Sequence, residues 1–157
     1  MIMIRRLIML FVFSFAVSGL SAQTGLHVSE LFGKEYQKRK NVVEVRVEGR
    51  KLERFRLTLF RSLTIKGNTD ELQRIEKLVK ADGREALDRE EGTKGNRLYY
   101  GFYRLKIADT KRGKKEAAPF RYLFFRNNSL LDHKNNEAIV IYVEGFVSID
   151  ELKKMFR

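Results

Sequence analysis

The sequence contains no cysteine and a single proline among its 157 residues. The absence of cysteine excludes disulfide bonds, on which many small exported domains depend, and it excludes thiolate metal ligands and cysteine nucleophiles. No serine- or glycine-rich tract, repeat or low-complexity run divides the chain. We therefore expect one domain that is held together by its hydrophobic core.

Histidine is also scarce, with only His27 and His133. Neither has a second histidine three or four residues away, so the sequence offers no metal-ligand cluster. Both are predicted to be exposed. Either could serve as a general base, but no serine elbow or cysteine nucleophile accompanies it. The glycines are too scattered for a phosphate-binding loop, and we predict neither a metal nor a cofactor.

The first 22 residues have the pattern of a cleavable secretory signal. Arg5 and Arg6 form a positive start, residues 7–20 are apolar, and the small residues Ser21 and Ala22 follow. The apolar run is shorter than the roughly 20 residues that a membrane-spanning helix needs, although an uncleaved membrane anchor is the alternative. We predict a single domain over residues 23–157, no membrane span after cleavage, and a periplasmic or secreted bacterial protein.

The chain is basic, with 32 lysines and arginines against 20 acidic residues and a net charge of +12. Removal of Arg5 and Arg6 with the signal leaves 30 basic residues, and hence a net charge of about +10. Such a charge favours association with polyanions such as acidic glycan, lipopolysaccharide or nucleic acid. Acidic residues alternate with basic ones along most of the chain, so a dispersed, solvated basic surface is the alternative.

Alternating apolar and polar residues predict two strands early in the domain, after a short helix over residues 28–36. In residues 43–47 the valines alternate with charged residues, which indicates a half-buried strand with one wet face. Residues 57–65 form a second predicted strand. Its residues expected on one side are Leu57, Leu59, Leu63 and Ile65.

The apolar residues of the next segment recur at helical spacing. Asn68 or Thr69 can cap this helix, and the acidic residues that follow suit its positive first turn. The residues of its apolar stripe are Leu72, Ile75, Leu78, Val79 and Ala86. The helix should end near the acidic run 88–91, which we interpret as a solvated helix end, and a loop should follow over residues 92–96.

Three runs rich in tyrosine, phenylalanine, valine and isoleucine fill the C-terminal half of the chain. They predict strands over residues 97–106, 120–127 and 137–145. Polar connections join them, which favours antiparallel hairpins. The predicted fold is α+β, with a mostly antiparallel five-stranded sheet, the element order (α)ββαβββα, and helices packed on one face.

The C-terminal end carries the clearest local signal in the sequence. Ser148 and Glu151 have the spacing of a capping box, in which each side chain bonds the backbone N–H of the other. Val147 and Leu152 are placed as a hydrophobic staple around the same turn. A short terminal helix is therefore predicted after Ser148.

Several short motifs distributed over the domain resemble those of one protein family. The motifs are Leu20-Ser21-Ala22-Gln23, Thr24-Gly25-Leu26, Leu31-Phe32, Gly49-Arg50-Lys51-Leu52, Leu59-Phe60-Arg61-Ser62-Leu63, Leu98-Tyr99-Tyr100-Gly101-Phe102-Tyr103 and Glu151-Leu152-Lys153-Lys154. The chain is similar to a family of small secreted proteins of unknown function from gut bacteria of the Bacteroidetes type. The resemblance implies a periplasmic or surface location, and it supplies no activity, ligand or catalytic residue.

The aromatic strands contain the first candidate site. Alternation in the strand 97–106 predicts Leu98, Tyr100 and Phe102 on one face. It predicts Tyr99, Gly101, Tyr103 and Leu105 on the other. One face should pack on helices, while the other keeps tyrosine hydroxyls in water. Tyr99 and Tyr103 would then form an aromatic surface for a sugar or peptide, with packing inside the core as the alternative.

Basic residues in one loop and in two strands form the second candidate site. The candidate polyanion-binding residues are Lys111, Arg112, Lys114, Lys115, Arg97, Arg104, Arg121 and Arg126. The partners that fit them are acidic glycan, lipopolysaccharide phosphates and nucleic acid. The alternative is a mobile hairpin loop that its charge keeps soluble.

Three functions follow as hypotheses. The lack of a catalytic motif, the predicted export and the aromatic sheet favour a non-enzymatic module that binds an envelope protein or another envelope component. A protein that binds an anionic polymer is the second hypothesis. The third is an enzyme whose site is assembled from distant residues, such as Glu144 with Tyr99 or His133.

Overall fold

A computed structural model of the chain describes residues 25–107 and 117–156. Within them, six strands form one antiparallel sheet in the order β1-β2-β6-β5-β4-β3. The strands are β1 (Val42–Glu48), β2 (Leu57–Lys66), β3 (Asp88–Lys94), β4 (Arg97–Leu105), β5 (Phe120–Asn127) and β6 (Glu137–Gly145). The α-helices are α1 (Lys34–Gln37), α2 (Thr69–Arg84) and α3 (Ile149–Phe156). The 3₁₀ segments are His27–Phe32, Arg50–Phe55 and Asn128–Leu130.

The α+β class and the antiparallel sheet are confirmed, but the sheet has six strands rather than five. The additional strand is β3, whose residues we expected to be a helix end and a loop. All of its side chains are exposed or partly exposed, so no hydrophobic periodicity marks it. Its backbone pairs with β4, from Asp88 opposite Arg104 to Lys94 opposite Arg97. Charged side chains on such an edge strand discourage pairing with further strands.

The helices pack on both faces of the sheet, not on one face as predicted. On the first face, α1 and α2 contribute to a buried cluster that includes Leu63 and Tyr142. On the second face, α3 and the segment Arg50–Phe55 contribute to a cluster that includes Phe60 and Ile141. Because both faces contact helical segments, the central strands bury side chains on both sides and have nearly continuous apolar sequences.

Two β-bulges change which side chains share a face. The pairing of β2 with β6 shifts between Leu57 and Leu59, so Leu57 lies in the second-face cluster and Leu59 in the first-face cluster. A similar shift between β3 and β4 places Leu98 on the first face and Phe102 on the second. The predicted grouping of these residues is wrong, because the extra residue of a bulge interrupts the period-two alternation.

Tyr103 is fully buried on the first face, so it is not part of an exposed aromatic surface as predicted. A Cβ atom on Gly83 of α2 would lie 2.5 Å from its ring, and one on Gly101 would lie 2.6 Å from its hydroxyl oxygen. The hydroxyl donates to Glu91 at 2.9 Å, and burial raises the pKa of Tyr103. Gly83 therefore allows α2 to approach the sheet closely, while Tyr99 is half-buried.

The helix α2 begins as predicted and ends earlier than predicted. Asn68 is its N-cap, and the Asn68 side-chain oxygen accepts a hydrogen bond from the Glu71 N–H at 2.9 Å. The helix ends at Arg84 because the chain then joins the sheet, where the Leu87 N–H donates to the Arg104 carbonyl at 2.8 Å. The buried members of its predicted stripe are Leu72, Ile75 and Val79.

The capping box of α3 is confirmed. The Ser148 N–H donates to the Glu151 carboxylate at 3.0 Å, and the Glu151 N–H donates to the Ser148 hydroxyl at 3.3 Å. Val147 and Leu152 are both buried on the second face. The cap and the staple determine where α3 begins, and they thereby place its last turn over the sheet.

A buried carboxylate joins α2 to β4. Glu76 accepts hydrogen bonds from the Leu98 N–H at 2.8 Å and from Arg97 Nε at 2.7 Å, and its carboxylate lies 2.9 Å from Lys80 Nζ. Burial acts to raise the pKa of Glu76, but these hydrogen bonds together outweigh it and lower the pKa. The ionised form of Glu76 is therefore favoured by the fold.

We predict that Glu76→Gln destabilises the protein by about 2–3 kcal/mol at pH 7, because a buried charged acceptor is lost. The pKa of Glu76 is lower in the folded state than its ordinary value of 4.5. The stabilisation is thus fully present above the ordinary pKa and is lost as the pH falls through the folded one. Urea denaturation should show a difference between wild type and variant that shrinks as the pH falls below 4.5.

Glu85→Gln is the matched control, because Glu85 is an exposed carboxylate just beyond the same helix. It should change the free energy of unfolding by less than about 0.5 kcal/mol. Equal effects of the two substitutions, or a Glu76→Gln effect that does not depend on pH, would contradict the assigned role of Glu76.

Candidate functional site

The second face of the sheet carries a pocket beside the last turn of α3. The residues that line it are Glu90, Tyr100, Phe102, Phe124, Arg126, Lys153 and Phe156. They belong to β3, β4, β5 and α3, and the three strands are neighbours in the sheet. The volume of the pocket is about 120 Å³. An apolar protein cavity of about 150 Å³ holds benzene, so this pocket suits one small ring or a comparable chemical group.

Aromatic rings form most of the pocket wall. The rings of Tyr100 and Phe124 meet edge to face with their centroids 5.5 Å apart. Phe156 stacks on Phe124 at 5.7 Å with an interplanar angle of 11°. Phe102 completes the group, with its ring 6.3 Å from that of Phe124. The pocket therefore offers flat apolar surfaces to a ligand.

Two of the charged side chains at the pocket neutralise each other. Lys153 Nζ lies 2.5 Å from the Glu90 carboxylate, and it lies 5.6 Å from the centroid of the Phe102 ring. The hydrogen bond to Glu90 raises the pKa of Lys153. Because Glu90 forms an ion pair with Lys153 of α3, the negative charge of Glu90 is balanced and does not repel an anion in the rest of the pocket.

Arg126 supplies a third charge, and this one has no counter-ion among the described residues. It lies on β5 directly opposite Tyr100 of β4. Its Nε atom is buried and has no hydrogen-bond partner in the described parts of the chain. The side chain lines the pocket, so its unpaired positive charge is available to an anionic group that enters there. The arrangement is suited to binding an anionic group beside an aromatic wall.

The structure does not bring together the four strand arginines of the predicted polyanion site. Arg97 and Arg121 lie on the first face, where Arg97 binds Glu76 and the Nε atom of the buried Arg121 donates to a tyrosine hydroxyl at 2.8 Å. Arg104 and Arg126 lie on the second face. Arg121 and Arg126 are separated because they stand five positions apart on β5, and successive side chains of a strand point to opposite faces of the sheet.

The loop cations of that predicted site lie outside the described residues. They are Lys111, Arg112, Lys114 and Lys115, and in the sequence they connect β4 to β5. Their part in binding a polyanion stays a prediction.

The structure also keeps apart the residues named for an enzymatic site. Glu144 pairs with Arg121, and Arg121 pairs with Leu105 at the end of β4. Tyr99 lies near the other end of β4, about 20 Å away at roughly 3.3 Å per residue. His133 is exposed and precedes the far end of β6. No common site of these three residues is formed.

Two further findings concern metals and membranes. The described residues contain no group of three or more histidine, aspartate or glutamate side chains placed to hold a metal ion. Within the same residues, no helix is both long enough and apolar enough to cross a membrane. The His27 side chain forms a hydrogen bond within the protein, with its Nδ1 atom 3.0 Å from the Asp82 carboxylate.

Sequence reasoning identified Arg126 as a candidate but missed the pocket around it. Tyr100 and Phe102 stand two residues apart on one strand, as do Phe124 and Arg126 on the next, and this spacing predicts a shared face. The missing information was the register that sets the two pairs side by side. Glu90 could not be assigned to the site because β3 was not predicted.

The comparison with known proteins identifies a family. No curated protein and no solved structure matches the chain. One family model matches residues 15–156, a range that includes every residue of the pocket. This agrees with the resemblance to a family without a known activity. The chain therefore belongs to the family of unknown function DUF6108.

Proposed function

We propose that the protein is an exported, non-enzymatic binding domain of the bacterial envelope, and that its pocket beside α3 takes an anionic ligand. The observation that carries this proposal is Arg126, a guanidinium that lines an aromatic pocket and has no counter-ion among the described residues. The exported location rests on the signal pattern of residues 1–22.

The chemistry of the pocket favours a carboxylate joined to a flat apolar group. Guanidinium has a planar fork of donors that matches the two oxygens of a carboxylate. The rings of Tyr100, Phe124 and Phe156 stand beside this cation and provide surfaces for stacking. The protein would thus be a binding module, as in the first hypothesis, and it would recognise an anionic group, as in the second, through the single cation Arg126.

The carboxylates at the pocket favour binding over bond cleavage. Glycoside hydrolysis requires two carboxyl groups about 5–10 Å apart on either side of the scissile bond. Among the residues that line the pocket, Glu90 is the single carboxylate, and it is held by Lys153 at 2.5 Å. A ligand anchored on Arg126 would therefore be held without an acid and base pair around it.

Benzoate is a suitable first probe, because it joins one carboxylate to one flat ring. We expect it to bind with a dissociation constant of about 1 mM and to shift the backbone amide signals of Tyr100, Phe124 and Arg126 in a ¹⁵N NMR titration. Arg126→Met should weaken binding about tenfold to a hundredfold, since a hydrogen bond to a charged group contributes about 1.5–3 kcal/mol. Neutral benzamide should bind wild type as weakly as benzoate binds the variant.

Arg104→Met is the matched control for this experiment. Arg104 lies on the same sheet face and also has a buried Nε atom without a partner in the described residues, but it does not line the pocket. Its replacement should leave benzoate binding unchanged. Equal losses in the two variants, or full binding by Arg126→Met, would contradict the proposed site.

Export can be tested by expressing the full chain in a bacterium and determining the N-terminus of the protein in the periplasmic fraction. Cleavage should release a chain that begins near Gln23, because small residues precede that position. Phe13→Asp places a charge in the apolar run and should keep the uncleaved chain out of the periplasm. A full-length protein in the membrane fraction would indicate an uncleaved anchor instead.

A further inference from the structure

An outer row of exposed and partly exposed side chains lies at the margin of the helical cover on the second face. From β1 to β4 the row consists of Val43, Thr64, Ile139, Arg126 and Tyr100, each directly opposite the next. Val43 is 62% exposed, and the other four are partly exposed. In the adjacent inner row, by contrast, Ser62 and Ile141 are buried.

The outer row forms a continuous track that leads into the pocket. It crosses five neighbouring strands, and strands lie about 4.8 Å apart, so its length is about 19 Å. Arg126 and Tyr100 belong both to the row and to the pocket wall. A ligand anchored in the pocket and longer than one ring would therefore continue along the row towards Val43.

We infer that the outer row binds an extended acidic oligosaccharide built of uronate sugars, with one carboxylate on Arg126 and further sugar rings lying towards Val43. This inference rests on the proposed function, since it takes the pocket as the place where the carboxylate is anchored. It adds the chemical class and the length of the ligand.

The direction of the row favours a saccharide over a peptide. A peptide that adds to a sheet lies along a strand edge and bonds its free backbone groups, whereas this row runs across strands whose backbone groups are used in the ladder. A ligand on this face is held by side chains. Sugar rings offer an apolar face to Val43, Ile139 and Tyr100, and hydroxyl groups to Thr64.

The charge of the row also agrees with an acidic chain. Arg126 is its single charged member, and the other four residues are uncharged. The net charge of +12 over the whole chain attracts polyanions at longer range. A ligand with a carboxylate on each ring can place any one of them on Arg126 while its neighbours remain in water beside the row.

The test compares galacturonic acid with its linear tetramer by calorimetry and NMR titration on the full mature chain. Having four equivalent carboxylates, any of which can bind Arg126, raises the affinity of the tetramer at most fourfold. Contacts of the further sugar rings with the outer row add to this, so we expect the tetramer to bind more than tenfold tighter than the monomer. The amide signals of Val43 and Thr64 should shift with the tetramer and stay unchanged with the monomer.

Val43 can be replaced by a positive or a negative residue to test whether the tetramer passes over it. Its side chain is exposed on an edge strand and therefore tolerates substitution. Val43→Lys should raise the affinity for the tetramer about twofold to fivefold, and Val43→Glu should lower it by a similar factor, as expected for exposed charges. Neither substitution should change the affinity for the monomer, which reaches only the pocket.

The outcomes separate this inference from the proposed function. One outcome would overturn the outer row and keep the pocket. In it, the monomer binds only when Arg126 is present, the tetramer binds less than tenfold tighter than the monomer, and the Val43 substitutions do not change the affinity for the tetramer. Absence of binding by monomer, tetramer and benzoate overturns both. A polyglutamate peptide of equal charge should bind at least tenfold more weakly than the tetramer, and equal binding would assign the row to acidic peptides and overturn the saccharide.

Discussion

The helical segments on the second face do not extend to the ends of its strands, and the candidate site depends on this incomplete cover. Ser62 of β2 and Ile141 of β6 are buried, whereas Thr64 and Ile139, two residues further along the same strands, are partly exposed. The cover consists of the segment Arg50–Phe55 and the helix Ile149–Phe156, and an eight-residue helix is about 12 Å long. The cover buries the middle of the face, while its margin stays accessible as the pocket and the outer row.

The first face is closed by contrast. The sixteen-residue helix Thr69–Arg84 lies on it, and Gly83 brings that helix into close contact with the ring of Tyr103. The buried carboxylate of Glu76 binds Arg97 and the backbone of β4. Glu76 is thus paired on this face, whereas Arg126 on the second face lines the pocket and forms no ion pair in the described residues.

The accuracy of the sequence predictions follows the strength of the local signals. The capping box at Ser148, the N-cap at Asn68 and the aromatic strands each depend on residues close in the sequence, and the structure confirms them. The strand β3 was missed because it is polar on both sides and is held by backbone pairing with β4. The bulge beside Leu57 was missed because alternation alone does not reveal an extra residue.

The sequence by itself determined the α+β class, the antiparallel hairpins and the excess of basic residues, because periodicity, capping and charge are properties of neighbouring residues. Tertiary structure decided which of these residues meet. It set Arg126 beside Tyr100 through the register of β5 against β4, and it brought Lys153 to Glu90. Alternation along β5 places Arg121 and Arg126 on opposite faces, and the packing on those faces buried Arg121 and left Arg126 lining the pocket.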